Sequence, residues 1–184
     1  RSFVQFPDQV RVIVMDTGVR RSLTDSAYNE RTQQCQRAVE VLQKVDPGIE
    51  ALRDVTPEFL YEHEERLTPT IFNRARHVVE ENDRAQRTAE LLPVAPEEAG
   101  RMMRASHESL RDLYEVSSDE LDGIVEIAQE HTACFGARLT GAGMGGCAIA
   151  LILKDHEEPF IEHVTPPYNA RFDYRPTLFA PDPV

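Results

Sequence analysis

The chain has 184 residues, 41% hydrophobic and 28% charged, and a net charge of −12 from 32 acidic against 20 basic side chains. That length suits one domain with a sizeable core, and the composition reads as soluble and globular. No apolar run approaches the ~18 residues of a membrane helix, and a surface that repels phosphate overall is a poor nucleic-acid platform.

There is no signal-peptide pattern, and Arg1 rather than Met opens the chain, which suggests a processed chain or a piece of a longer one. The three cysteines, Cys35, Cys134 and Cys147, are few and odd in number. Free thiols in a reducing cytoplasm fit that count.

In chain order, Val10 to Met15 is an apolar, β-branched run and reads as a strand. Ser22 to Ser26 is rich in N-cap residues. Tyr28, Thr32, Cys35, Val39 and Leu42 then recur at helical spacing and predict a helix with that stripe on the core. Thr56-Pro57 and Thr68-Pro69 each place a capping hydroxyl before a proline at the first helical position. The second opens a long helix from about Thr70 to Leu92, with Ile71, Ala75, Val78, Asn82, Ala85, Ala89 and Leu92 on its inner face. Pro93 ends it and Pro96 starts another, whose inner face carries Met103, His107, Leu110 and Tyr114. A satisfied buried histidine accounts for His107 better than a ligand does. Ser117 to Glu120 is a capping box in which Ser117 reaches Glu120, leading a helix that carries Leu121, Ile124, Val125 and Ala128.

Ala137 to Thr140 and Cys147 to Leu153 read as strands. Between them, four glycines fall within Gly141 to Gly146. Such a loop suits either a tight strand connection or a ligand-facing backbone. The tail holds Pro159, Pro166 and Pro167 and is expected to break into short pieces, with an edge strand between Phe172 and Phe179. The short loop makes the strands it joins antiparallel. The class is therefore α+β, a small antiparallel sheet with helices on one face.

Gly141-x-Gly143-x-x-Gly146 matches the dinucleotide fingerprint literally, but that site needs a helix after the loop, and a strand follows here. No Walker loop, His-Glu-x-x-His or Gly-x-Ser-x-Gly occurs. His131 and Cys134 have metal-ligand spacing, yet nothing near them in sequence completes a tetrahedral set, so no metal site is expected.

Leu139-Thr-Gly-Ala-Gly-Met-Gly-Gly-Cys147 resembles the third, C-terminal motif of the GHMP small-molecule kinases, in its galactokinase form. Asp16 to Arg31, Ala51 to Thr56, Arg74 to Val79, Ser106 to Asp112 and Tyr114 to Ser117 also resemble galactokinase stretches, in order. Leu113, Ser118 and Asp119 depart from residues usual in that family, as do Pro93 and Pro96. The resemblance implies that residues 1–184 form a single GHMP kinase C-terminal domain, with residues 1–9 a lead-in from an N-terminal domain. It implies transfer of the ATP γ-phosphoryl group to the anomeric hydroxyl of galactose. The Gly-Leu-Ser-Ser-Ser nucleotide loop, the Gly-Glu-His-Thr-Asp-Tyr sugar segment and the catalytic aspartate of galactokinases do not occur in these residues.

On that resemblance, no catalytic residue lies in this chain, and ATP and Mg²⁺ are held mainly by the N-terminal half. Tyr28 corresponds to a tyrosine that contacts a sugar hydroxyl, and Arg20 approaches the phosphates or makes a surface salt bridge. Gly141, Ala142, Gly143, Met144, Gly145 and Gly146 face the transferring phosphate or brace the sugar-binding loop. Partners are galactose, ATP and the N-terminal half, in the cytoplasm. A non-catalytic sugar-sensing regulator on the same fold, or a GHMP kinase for another sugar, are the alternatives.

Overall fold

The computed structural model describes residues 4–20 and 25–181. Strand β1 (Val10–Asp16) leads to five helices, α1 (Asp25–Leu42), α2 (Pro57–Glu62), α3 (Pro69–Leu91), α4 (Pro96–Asp112) and α5 (Asp119–Glu130). Strands β2 (Cys134–Thr140) and β3 (Cys147–Leu153) follow, then α6 (Glu157–Arg171) and β4 (Thr177–Phe179). The sheet order is β2-β3-β1-β4, antiparallel throughout. Helices connect β1 to β2 across β3, and α6 connects β3 to β4 across β1. These are two interleaved split β-α-β units, the ferredoxin-like arrangement.

Strand alternation assigns the faces. Ile13, Met15, Ala137, Leu139, Ala148, Ala150 and Ile152 share one face and join Leu121, Ile124, Val125 and Ala128 of α5 with Phe160, Val164 and Tyr168 of α6 in the main core. This is the antiparallel sheet with helices against one face that the sequence implies. On the opposite face Val10 and Leu151 form a smaller cluster with Ala99 and Met103 of α4. A third cluster packs α1, α2 and α3 together through Ala38, Leu42, Leu60, Phe72 and Val79.

An edge strand offers unpaired backbone groups that must be covered, and α4 lies along the free edge of β2. The Arg104 guanidinium donates to the Phe135 carbonyl at 2.8 Å, and the Leu139 N–H donates to His107 Nδ1 at 3.3 Å. That bond leaves the His107 proton on Nε2, which faces Asp122 Oδ1 at 3.2 Å. His107 is thus a buried histidine with both nitrogens engaged. Burial alone would raise the Asp122 carboxyl, but the His107 and Ser117 hydrogen bonds outweigh it and hold the carboxyl below its ordinary range.

Several local expectations shift. Thr56 and Thr68 cap α2 and α3 as their prolines imply, their hydroxyls accepting from the Phe59 and Ile71 N–H groups. The cap of α5, however, is Ser118, which accepts from the Leu121 N–H, while Ser117 bonds Asp122. Of the N-cap-rich run from Ser22 to Ser26, residues 22–24 lie outside the described residues and Asp25 and Ser26 open α1. In α1 the buried face runs through Arg31, Ala38, Val39 and Leu42, whereas Tyr28 and Thr32 are exposed. In α3 the inward residues are Phe72, Arg74, Ala75, His77 and Val79, and Asn82 and Ala85 are exposed. The proline-bearing tail is one helix, α6. Pro159 sits in its first turn, and the two backbone bonds lost at Pro166 and Pro167 are offset by burial of Phe160, Val164 and Tyr168.

His77 is buried against the Tyr114 ring, with Ser109 Oγ 2.9 Å from Nδ1, and burial pushes its pKa down to about 4. Its folded value lies below its unfolded one, so its contribution is complete above pH 6.5 and is lost as pH falls towards 4. At ~1.4 kcal/mol per unit, this makes the wild type lose about 2–3 kcal/mol through His77 by pH 4. Urea denaturation at pH 7 and pH 4.5 should show a smaller acid loss in His77→Gln than in the wild type.

Candidate functional site

The loop from Gly141 to Gly146 closes the β2–β3 hairpin, and its conformation explains its composition. Gly141, Gly143, Gly145 and Gly146 have φ of 83°, 79°, 124° and 81°, and Met144 has 59°. Positive φ is open to glycine and costs other residues ~1–2 kcal/mol. A succession of such residues curls the backbone tightly.

Two protein segments hold this curl. On one side the Met144 N–H donates to the Val116 carbonyl at 2.7 Å, and Gly143 lies so close to that carbonyl that a Cβ would overlap it. On the other side the Gly146 N–H donates to the Val19 carbonyl at 3.2 Å. The Gly146 carbonyl accepts from the Thr17 N–H at 2.9 Å and from Thr17 Oγ1 at 2.7 Å. Thr17 is fully buried, and the Tyr168 hydroxyl donates to its carbonyl at 3.0 Å. Burial pushes that phenol up to about 12. The loop therefore spends two of its N–H groups, those of Met144 and Gly146, on the protein itself. Gly141 and Ala142 are exposed, and a Cβ at Gly141 or Gly146 would meet nothing within 4 Å. Among the described residues no acceptor takes the Gly143 or Gly145 N–H.

Arg20 forms a two-pronged ion pair with Asp16, at 2.7 and 2.6 Å, with its side chain largely exposed. Arg20 holds the Asp16 carboxyl below the usual carboxylate range despite partial burial. Asp16 is the cross-strand partner of Cys147, so this pair sits where β3 leaves the glycine loop. Burial and the Asp16 charge push the Cys147 thiol up, away from a reactive thiolate. Tyr28 is 66% exposed on the first turns of α1. It is a side chain presented to solvent rather than a core tyrosine.

The turn from Leu113 to Val116 links these parts. Arg31, one helical turn after Tyr28, donates to the Tyr114 carbonyl at 2.6 Å and the Glu115 carbonyl at 3.0 Å. Arg74 on α3, 2% exposed, donates to the Leu113 carbonyl and pairs with the Glu115 carboxylate at 2.5 Å. Arg74 holds that carboxyl low. Gln34 Oε1 accepts from Arg74 at 3.0 Å and joins the two helices. Glu115 itself has φ of 54°, a conformation unfavourable for a non-glycine residue. The next residue is Val116, which carries the glycine loop. Sequence reasoning passed over Arg31 and Arg74. The available signal was the polar series Arg74, His77 and Glu81 at helical spacing on α3, a stripe parallel to its apolar face.

Among the described residues there is no group of three or more His, Cys, Asp or Glu side chains able to hold a metal ion. No helix among the described residues is long and apolar enough to cross a membrane.

Residues 91–166 match the model of the GHMP kinases C-terminal family. The chain is 44% identical over 167 residues to a galactokinase of Roseiflexus sp. (strain RS-1), covering 90% of this chain and 43% of the relative. It is 42% identical over 165 residues to a galactokinase of Enterococcus faecalis, covering 89% and 42%. It superposes on the crystal structure of Lactococcus lactis galactokinase complexed with galactose with a TM-score of 0.88 at 35% identity, covering 94% of this chain and 45% of that one. The fold alone is shared with L. major mevalonate kinase in complex with R-mevalonate, at a TM-score of 0.57, 21% identity and coverage of 96% and 43%. The chain thus spans less than half the length of the relatives it matches.

Proposed function

The chain carries the C-terminal domain of the GHMP kinase family in the form galactokinases share, and from that premise we propose that it is the C-terminal part of a galactokinase. The reaction is transfer of the ATP γ-phosphoryl group to the anomeric hydroxyl of galactose. The observation that carries this reading is the similarity to galactokinases along 90% of the chain, at 44% identity. On this reading residues 1–184 act as one domain, and an N-terminal half supplies the nucleotide loop, the Mg²⁺ ligands and the catalytic aspartate. No step is assigned to Mg²⁺ on the residues of this chain.

What these residues contribute is positioning, which is most of what phosphoryl transfer asks of a protein. Tyr28 offers its hydroxyl to a sugar hydroxyl. The open side of Gly141 to Gly146 forms a wall without side-chain bulk, against which substrate and the opposing half close. Arg20 reaches the phosphate region while Asp16 fixes its direction. The experiment is a panel of acceptors offered with ATP to the protein joined to its N-terminal half. ADP release is expected with galactose and not with mevalonate. Turnover of another acceptor in place of galactose would overturn the sugar assignment, and sugar binding without turnover would favour a sensor. Tyr28→Phe is expected to raise the galactose KM about tenfold at similar kcat, the loss of one hydrogen bond. An unchanged KM removes Tyr28 from the site.

A further inference from the structure

We propose that Arg74 and Arg31 are positioning residues that set the glycine loop from a distance, by clamping the turn from Leu113 to Val116. Among the described residues, neither arginine is hydrogen-bonded to the loop. Arg74 grips the Leu113 carbonyl and the Glu115 carboxylate, and Arg31 grips the Tyr114 and Glu115 carbonyls. Four successive backbone or side-chain acceptors on one turn are thereby taken by two guanidiniums, side chains that are 3% and 10% exposed. A guanidinium's rigid fork suits this task, because it fixes direction as well as distance.

The turn passes the constraint on directly. Val116 follows Glu115, and its carbonyl accepts the Met144 N–H while leaving no room for a Cβ on Gly143. Glu115 and Met144 are the two non-glycine residues of positive φ among the described residues. Both lie on this path, one on each side of the Val116–Met144 contact. Unfavourable backbone of this kind persists only where its surroundings over-determine it, and the two guanidiniums are the surroundings of Glu115. The same clamp orients α1, so Tyr28, one turn before Arg31, is referenced to the turn that carries the loop. The helical cluster of α1 and α3 is thus built into the geometry of the hairpin. Its importance for turnover rests on the reading of the loop as a cleft wall, whereas the coupling itself does not.

The test is residue-resolved amide hydrogen exchange by NMR on the 184-residue chain, comparing wild type, Arg74→Met and Glu115→Gln. Glu115 is largely exposed, so Glu115→Gln keeps the fold while weakening the Arg74 contact. Exchange at Met144 and Gly146 is expected to rise about tenfold or more in Arg74→Met, and by less in Glu115→Gln, with a shifted Met144 amide signal. Core amides such as Ala150 are expected to keep their protection in Glu115→Gln. If Arg74→Met does not fold, the Glu115→Gln spectrum decides alone. Unchanged exchange at Met144, or a rise there matched by Ala150, would overturn the clamp. A coupled loop in a chain that, joined to its N-terminal half, fails to phosphorylate galactose would instead overturn the proposed function and leave the clamp standing.

Discussion

Gly100→Ala is expected to destabilise the protein by about 2–4 kcal/mol, although alanine is the better helix former by ~1 kcal/mol. Gly100 sits on the side of α4 that lies against β2, and a Cβ there would overlap the Phe135 carbonyl. Gly136 on β2 meets the Gly100 backbone in the same way. Two backbones in contact leave no flexible side chain to give way, so α4 must lift from the strand. Lifting it also loosens the Arg104 bond to Phe135 and the Leu139 bond to His107, which uncovers the edge of β2. Gly123 in α5 is the internal comparison. A Cβ there would meet the ring of Phe172, a side chain able to turn aside, so Gly123→Ala should cost less. Urea denaturation of both variants at pH 7 measures the difference, and equal losses would argue against the backbone contact.

Gly143→Ala is expected to cost about 2–4 kcal/mol, and Gly141→Ala only about 1 kcal/mol. Both positions have positive φ, 79° and 83°, so the backbone penalty is shared. They differ in space. A Cβ at Gly143 would overlap the Val116 carbonyl, while one at Gly141 meets nothing within 4 Å. The excess at Gly143 is therefore the cost of separating the loop from the turn that holds it, and it includes the Met144 hydrogen bond. Thermal melts of the two variants give the comparison. Equal shifts would mean that the loop tolerates displacement from Val116.

The elements legible in the sequence were those set by local chemistry. Val10 to Met15 and Cys147 to Leu153 are β-branched or fully apolar runs that only a buried strand satisfies. Thr56-Pro57 and Thr68-Pro69 cap and start helices by themselves. The short glycine connection fixed the antiparallel pairing of β2 and β3. What stayed hidden depended on partners distant in sequence. Pro166 and Pro167 read as breaks, because the burial of Tyr168 and Val164 that carries the helix past them involves the sheet. The spacing puts Ile71, Ala75, Val78, Asn82, Ala85, Ala89 and Leu92 on the inner face of α3, whereas the buried face is turned to take in Arg74 and His77 and leaves Asn82 and Ala85 in solvent.

The candidate site divides in the same way. The composition of the glycine loop announced a close approach, and family resemblance singled out Tyr28 and Arg20. Composition does not tell which group approaches. At Gly143 it is the Val116 carbonyl, and at Gly146 the backbone is bonded to Thr17 and Val19. The side of the loop left open, around Gly141 and Ala142, is the part available to a ligand or to an opposing domain. Arg20 engages Asp16 in the structure, which orients it without committing it to a phosphate.

On the proposed function, this chain forms one wall of a galactokinase cleft and needs an N-terminal half to turn over substrate. The measurement that bears on it most directly is galactose-dependent ADP release, recorded on the 184-residue chain before and after addition of that half. The expected result is no ADP release by the chain alone and turnover once the two halves associate. Galactose phosphorylation by the chain alone, or a stable complex of the two halves that leaves galactose untouched, would contradict it.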